Sequence, residues 1–288
     1  MTILLAWIAS ISSGLEPLIL KASSKTLIKS SWLFNVFWVG ATYPLVVPLM
    51  LLWGAGMPHS WGVFVALGIF HALFFLLYST ALFKIDTSTM APLFSFRTVF
   101  AVLLGVVVLH EQLSILSILL VCVIILASPL ASFDEHLGLR AFKNKYIFVA
   151  IASMTALALT GYFVNKAYAE NGFTTTVLWQ DTFTLLFLAP SLFFVKWQDE
   201  TWTKQKAVPF AALGVTGFIY VASSAIAYGK AYTISSVIVS LPLSMIFVWI
   251  ASKKFSSWLE SHPPYVYKIR FIGAAIMVTC AILLSVLK

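Results

Sequence analysis

Four ionisable side chains, Glu16, His71, Arg97 and Asp181, fall inside apolar stretches long enough to cross a bilayer. An ionisable group at mid-membrane costs a few kcal/mol or more, so it normally faces a cavity or a partner. Arg97 cannot shed its proton, and its planar five-donor fork suits a carboxylate or phosphate held bidentately. Two readings stand for it: recognition of a substrate's anionic group, or a structural pair with Glu16 or Asp181. Glu16 is followed by Pro17, which frees the carbonyl of Ser13 and gathers acceptors beside the carboxylate; Ser12 and Ser13 lie one turn earlier. Asp181 follows Trp179 and Gln180, with Thr182 and Thr184 nearby. That polar run suggests a hydrated face able to hold a small polar ligand. Glu16, Asp181 and His71 are candidates for proton coupling, the imidazole because it titrates near neutrality.

Aromatic residues offer a body for such a ligand. Tyr162 and Tyr220 are placed to line a pocket, and Tyr78 and Tyr228 to serve as skeleton or gate at equivalent depths. An aromatic box over Glu16 would suit a quaternary ammonium. Pro17, Pro92 and Pro242 are hinge candidates, since each leaves a helix carbonyl to be covered by a neighbour or water.

These residues must be positioned by membrane helices. A bilayer core of about 30 Å needs roughly 20 apolar residues of helix, and the sequence supplies ten such stretches: 2–20, 31–53, 60–83, 87–109, 112–132, 146–168, 173–195, 208–228, 233–251 and 267–287. A composition 61% hydrophobic and 10% charged is far from the quarter of charged residues usual in soluble domains. The runs do not alternate as barrel strands would. The first begins at Thr2 without a basic lead or cleavage site, which reads as a retained helix.

A net charge of +8 would suggest nucleic acid in a soluble protein, but here the basic residues cluster at span ends, as lipid-facing anchors do. Lys21, Lys25, Lys29, Lys84, Arg140, Lys143, Lys145, Lys196, Lys204, Lys206, Lys253, Lys254, Lys268 and Arg270 follow odd-numbered spans; Lys166, Lys230 and Lys288 lie opposite. By the positive-inside rule both termini are outside. Cys122 and Cys280 lie in spans and read as packing residues. His110, Glu111 and the triplet Asp134-Glu135-His136 read as solvated loop charge, not metal ligands. No H-E-x-x-H, G-x-S-x-G, Asp-rich diphosphate or Walker A motif is present, so neither an enzyme nor an ATP-driven pump is expected, and no cofactor.

The second half echoes the first. At an offset of about 150 residues, Ile69, Ala72, Tyr78, Ala81, Pro92 and Leu93 match Ile219, Ala222, Tyr228, Ala231, Pro242 and Leu243; Ile8-Ala-Ser matches Ile151-Ala-Ser. Five spans is an odd number, so tandem copies would have opposite orientations, the inverted-repeat design of many secondary transporters.

With Tyr78-Ser-Thr-Ala-Leu leading to Met90-Ala-Pro-Leu-Phe, Leu109-His-Glu-Gln-Leu, Ser240-Leu-Pro-Leu-Ser and Phe271-Ile-Gly-Ala-Ala, the chain resembles the EamA-like, ten-helix branch of the drug/metabolite transporter (DMT) superfamily. The glycine usual before Glu111 is His110 here, and the second-half counterpart is Leu259-Glu-Ser. The resemblance implies an all-α membrane fold of two inverted five-helix repeats, 1–132 and 146–288, joined by loop 133–145 into one structural domain. It further implies a central cavity between the first four helices of each half, with the fifth and tenth helices peripheral and able to form a homodimer. First-helix Glu residues couple protons in smaller relatives, which supports that role for Glu16. The resemblance puts both termini in the cytoplasm, against the charge count.

The function expected is secondary-active transport of a small polar metabolite, an amino acid or related zwitterion, by alternating access in a multi-pass protein of the cell (inner) membrane. Arg97 would meet its anionic end, and Glu16 or Asp181 its cationic end, a coupled proton or a counter-substrate. The alternatives are an organic cation or amine, or a phosphorylated metabolite; from another class, a membrane enzyme, channel or assembly subunit. In the aligned halves Arg97, His71, Glu16 and Asp181 stand opposite Phe247, Val221, Leu159 and Phe37. Repeated positions are scaffold, and each deep charge belongs to one half.

Overall fold

The computed structural model describes residues 1–24, 30–82, 84, 94–131, 145–197, 200, 207–241, 243, 247 and 263–286. Among these no strand occurs. The helices in chain order are α1 (Thr2–Ser24), α2 (Ser31–Leu52), α3 (Trp61–Leu82), α4 (Phe94–Leu103), α5 (Ile115–Ala131), α6 (Lys145–Leu188), α7 (Ala207–Lys230), α8 (Tyr232–Val239) and α9 (Pro264–Val286). Five stretches, Ser31–Leu52, Trp61–Ala81, Lys145–Phe194, Ala207–Lys230 and Tyr265–Val286, are long and apolar enough to cross a membrane.

Where the sixth and seventh spans are expected from sequence, two helical arms, together labelled α6, meet at Gly172 without an intervening loop. Gly172 adopts φ +75°, a conformation that only glycine reaches cheaply. The bend divides α6 into arms 145–171 and 173–188. The second arm passes at Leu188 into a 3-10 turn, Ala189–Phe194, where Pro190 cannot continue the backbone ladder. Helix α4 ends in a π-turn, Leu104–Val108. The expected start of the fourth span, residues 87–93, most of the ninth span after Val239, and the hinge candidates Pro92 and Pro242 lie outside the described residues. Helix α1 continues through Pro17.

Packing joins one half of the chain to the other. Helix α3 lies along α6, α1 along α7, and α5 along α9, while α2 packs against both α6 and α7. Glycines permit the closest approaches. A side chain at Gly68 of α3 would strike the backbone of Phe183, and one at Gly214 of α7 the Ala41 carbonyl of α2. Small residues let helix backbones approach in this way within lipid, where helices gain little from hydrophobic burial against one another. Tyr232, Phe64, Met50 and Leu67 are fully buried, whereas Leu52, Leu126, Val208 and Val286 are more than 70% exposed. An apolar exterior of this kind suits lipid as the surrounding solvent.

Candidate substrate-binding site

Helix α2 presents three polar anchors on one stripe at helical spacing: Asn35, Trp38 and Thr42. The Asn35 amide donates to Ser79 Oγ of α3 at 2.9 Å. Trp38 Nε1 donates to Glu16 Oε2 of α1 at 3.1 Å. Thr42 Oγ1 lies 2.6 Å from Asp181 Oδ2 in the second arm of α6. One face of α2 therefore fixes both deep carboxylates. They converge from opposite sides: a side chain at Gly217 of α7 would meet the Thr42 methyl and come beside Glu16 Oε1. Glu16 and Asp181 are buried, and among the described residues neither is joined to a basic side chain by an ion pair.

Trp38 also packs edge-on against Phe75 and Tyr78, with ring centroids 5.0 and 6.2 Å apart, and Phe74 lies 5.3 Å from Tyr78. Glu16 thus sits at the rim of an aromatic cluster contributed by α2 and α3.

Arg97 is 4% exposed. Its Nη2 donates to the Tyr228 hydroxyl of α7, and Tyr220 is close enough to interact with Arg97 electrostatically. Tyr232 completes the tyrosine wall, its ring 6.1 Å from that of Tyr228. Arg97 Nε has no hydrogen-bond partner. Among the described residues no carboxylate pairs with this guanidinium, so the structural pair with Glu16 or Asp181 weighed from sequence is not what the structure places there. Tyrosine hydroxyls solvate the charge without neutralising it. A buried cation so placed favours an anion that supplies the missing charge.

His71 of α3 links this region to Asp181. Its Nδ1 lies 3.0 Å from Thr184 Oγ1, and Thr184 donates its single hydroxyl proton to the Gln180 carbonyl at 2.7 Å. Nδ1 is therefore the donor toward Thr184, which leaves Nε2 as an acceptor. Arg97 is close enough to the ring to interact with it electrostatically. The Gln180 side-chain carbonyl is buried without a partner, one turn from Thr184.

Glu16, Asp181, Gln180, His71 and Tyr78 are thus gathered where α1, α2, α3 and the second arm of α6 meet, and Arg97 meets Tyr228 of α7. Two other sequence candidates, Trp179 and Tyr162, pack in the same apolar cluster as Tyr220 and Tyr228. Trp179 donates to the Gly56 carbonyl at 2.9 Å and packs edge-on against Trp61, which ties the α2–α3 connection to α6. Tyr162 packs against Phe163 within an apolar cluster. Among the described residues no His, Cys, Asp and Glu group could hold a metal.

Sequence reasoning missed Trp38 and Thr42, although their spacing with Asn35 on an apolar helix was a visible signal. It also missed Glu111, read as solvated charge. The Glu111 carboxylate accepts the backbone N–H groups of Tyr232 and Thr233 at 2.9 and 3.0 Å. Those are two of the donors that the first turn of α8 leaves without intrahelical partners, and a carboxylate is the favoured group at a helix N-terminus.

Residues 1–133 match the model of the EamA-like transporter family. A solved structure described only as "Crystal structure of protein" shares the fold, with a TM-score of 0.75 over 99% of this chain and 96% of that one at 15% identity. No curated protein matches the chain.

Proposed function

We propose that this chain, whose residues 1–133 match the EamA-like transporter family model, is a multi-pass membrane transporter of the DMT type, and that it works as a secondary-active carrier for a small zwitterionic metabolite such as an amino acid. Arg97 receives the anionic end, and the Glu16–Trp38–Tyr78 corner receives the cationic end. Asp181 is the site of a coupled proton or the contact for a counter-substrate. The observation that carries the proposal is Arg97: a permanent buried cation with tyrosine hydroxyls around it and no carboxylate beside it among the described residues. An apolar interior retains such a charge at a cost, and a substrate anion explains its retention.

Alternating access between two inverted five-helix repeats, 1–132 and 146–288, in the cell (inner) membrane is the transport mode we propose. Support comes from the packing. Exchanging the halves turns α1 into the first arm of α6 and α3 into α7, so the α1–α7 contact would exchange with one between α3 and that arm, where Phe70 stacks on Phe163. The α5–α9 contact maps onto itself. An exposed α5 carrying Leu116, Leu119 and Leu126 is consistent with a lipid-facing or homodimer role for the fifth and tenth helices. The aromatic cluster beside Glu16 favours one second reading, an organic cation or amine.

A thermal-stabilisation screen of the purified protein over amino acids, amines, nucleosides and phosphorylated metabolites identifies the ligand class, and counterflow into preloaded proteoliposomes tests the carrier. A zwitterion should stabilise the protein and accumulate by counterflow. Stabilisation by amines alone would select the second reading, and non-saturating flux or chemical turnover would reject both.

A further inference from the structure

The motif Leu109-His110-Glu111 has no part in the substrate site, yet it touches the turn that builds the tyrosine wall. Helix α4 finishes in its π-turn, whose last bond is Leu109 N–H to the Leu104 carbonyl, and Glu111 N–H returns to the Gly105 carbonyl at 3.0 Å. Between them His110 takes φ +53°, a left-handed conformation unfavourable for a residue with a Cβ. π-turns and left-handed residues of this kind concentrate where function constrains the backbone. Here they aim the Glu111 carboxylate at the start of α8.

The α7–α8 connection is a single residue, Ala231, with φ −158° and ψ 77°, and it is buried. Buried backbone at membrane depth must find polar partners inside the protein. The Tyr228 carbonyl accepts from the Asn165 amide at 2.7 Å, and the Tyr232 and Thr233 N–H groups reach Glu111. Tyr232 Oη donates to the Ala158 carbonyl at 2.7 Å. Space is short on both flanks: a side chain at Gly105 would overlap Thr233, one at Gly229 the Tyr168 ring, and one at Gly161 the Tyr232 ring.

We infer that Glu111 is a latch: by holding the first turn of α8 it keeps one end of the carrier closed and keeps the Tyr228 hydroxyl on Arg97. The two ends of the linkage are five residues apart, Tyr228 on the guanidinium and Thr233 on Glu111. A substrate anion that takes Arg97 from Tyr228 pulls on the same turn that Glu111 pins, so occupancy at the centre is felt at the helix end. This rests on the carrier reading for its purpose, though its geometry does not depend on transport.

The test places the protein in lipid nanodiscs, with both faces accessible, and reads two reactivities. Ser236 is buried one turn beyond Tyr232; as Ser236→Cys, in a Cys122→Ala, Cys280→Ala background, it reports opening through its rate with a charged maleimide. Phenylglyoxal adducts at Arg97, resolved by mass spectrometry, report the release of Tyr228. Loss of two charge-assisted bonds in Glu111→Ala should raise both rates roughly tenfold or more, with Glu111→Gln in between. If folded Glu111→Ala leaves either rate unchanged, the linkage is refuted; where that variant is not monodisperse, unchanged rates in Glu111→Gln refute it equally. A chain that transports nothing yet shows both increases keeps the latch and loses the carrier. A working carrier with unchanged rates loses the latch alone.

Discussion

Thr42 Oγ1 lies 2.6 Å from Asp181 Oδ2 and 2.8 Å from the Val39 carbonyl, and its hydroxyl has one proton for two acceptors. If Thr42 donates to Val39, Asp181 must supply the second bond as a neutral acid. If Asp181 is ionised, Thr42 turns its proton to the carboxylate. The hydroxyl therefore follows the charge of Asp181 without any movement of the helices. In Asp181→Asn the amide can donate to Thr42 permanently, which mimics the neutral acid. Reconstituted Asp181→Asn should retain counterflow but no longer concentrate solute when a pH gradient is imposed. Concentration at the native level would remove Asp181 from the coupling step.

Arg97 makes opposite predictions as a binding residue and as a structural one. Breaking a buried ion pair destabilises a protein by about 3–5 kcal/mol, whereas removing a cation that has no carboxylate partner should not. Arg97→Met is expected to melt at or above the native temperature in detergent while losing stabilisation by the anionic ligand. Arg97→Lys keeps the charge but loses the fork, so its affinity should fall less than that of Arg97→Met, whose loss is roughly tenfold to a hundredfold for a charge-assisted pair. A large fall in melting temperature with unchanged ligand affinity would make Arg97 structural.

Arg97, Glu16, Asp181 and His71 were legible in the sequence because a lone ionisable residue in an apolar span is conspicuous. Their partners were less so. Trp38 and Tyr78 read equally well as packing, and Thr42 is one of many hydroxyls that can bond back to their own helix, as Thr182 and Thr216 do here. The choice of Tyr228 rather than a carboxylate for Arg97 depends on which helices cross, and short-range patterns do not encode that. A glycine between two apolar runs signals the break found at Gly172, but not that the two arms would meet there without a loop. The bond of Trp179 to the Gly56 carbonyl was not legible either, because a tryptophan beside an acid suits a pocket and a membrane-interface anchor alike.

The Glu16–Trp38 bond separates anchoring from recognition. Trp38→Phe keeps an aromatic ring against Phe75 and Tyr78 but deletes the N–H donor, leaving a buried carboxylate oxygen without its partner at a cost of about 1–3 kcal/mol. Glu16→Gln keeps an acceptor for Trp38 and removes the charge. Thermal unfolding should therefore show Trp38→Phe less stable than Glu16→Gln, and ligand titration should show Glu16→Gln the weaker for the amino end of the substrate. Equal affinity of Glu16→Gln and native protein for amines and zwitterions would dismiss Glu16 as the cationic subsite.

Helix approach at Gly214 also governs the site, because Ala41, whose carbonyl a Cβ at that position would strike, immediately precedes Thr42. Backbone cannot rotate aside as a side chain can, so Gly214→Ala must push α7 away from α2, at the roughly 1–3 kcal/mol typical of overpacking. The same displacement draws Gly217 and Tyr220 of α7 away from Glu16 and Arg97, so ligand stabilisation should weaken along with the fold. Gly62 near the start of α3 provides the contrast: nothing lies within 4 Å of a Cβ there, and alanine at a compatible helical position stabilises by about 0.4–1 kcal/mol. Measured side by side in one detergent, Gly214→Ala should lower the unfolding midpoint and Gly62→Ala should hold or raise it. If the two shifts are equal, α2 and α7 are not in backbone contact, and the common α2 face joining Glu16 to Asp181 loses its support.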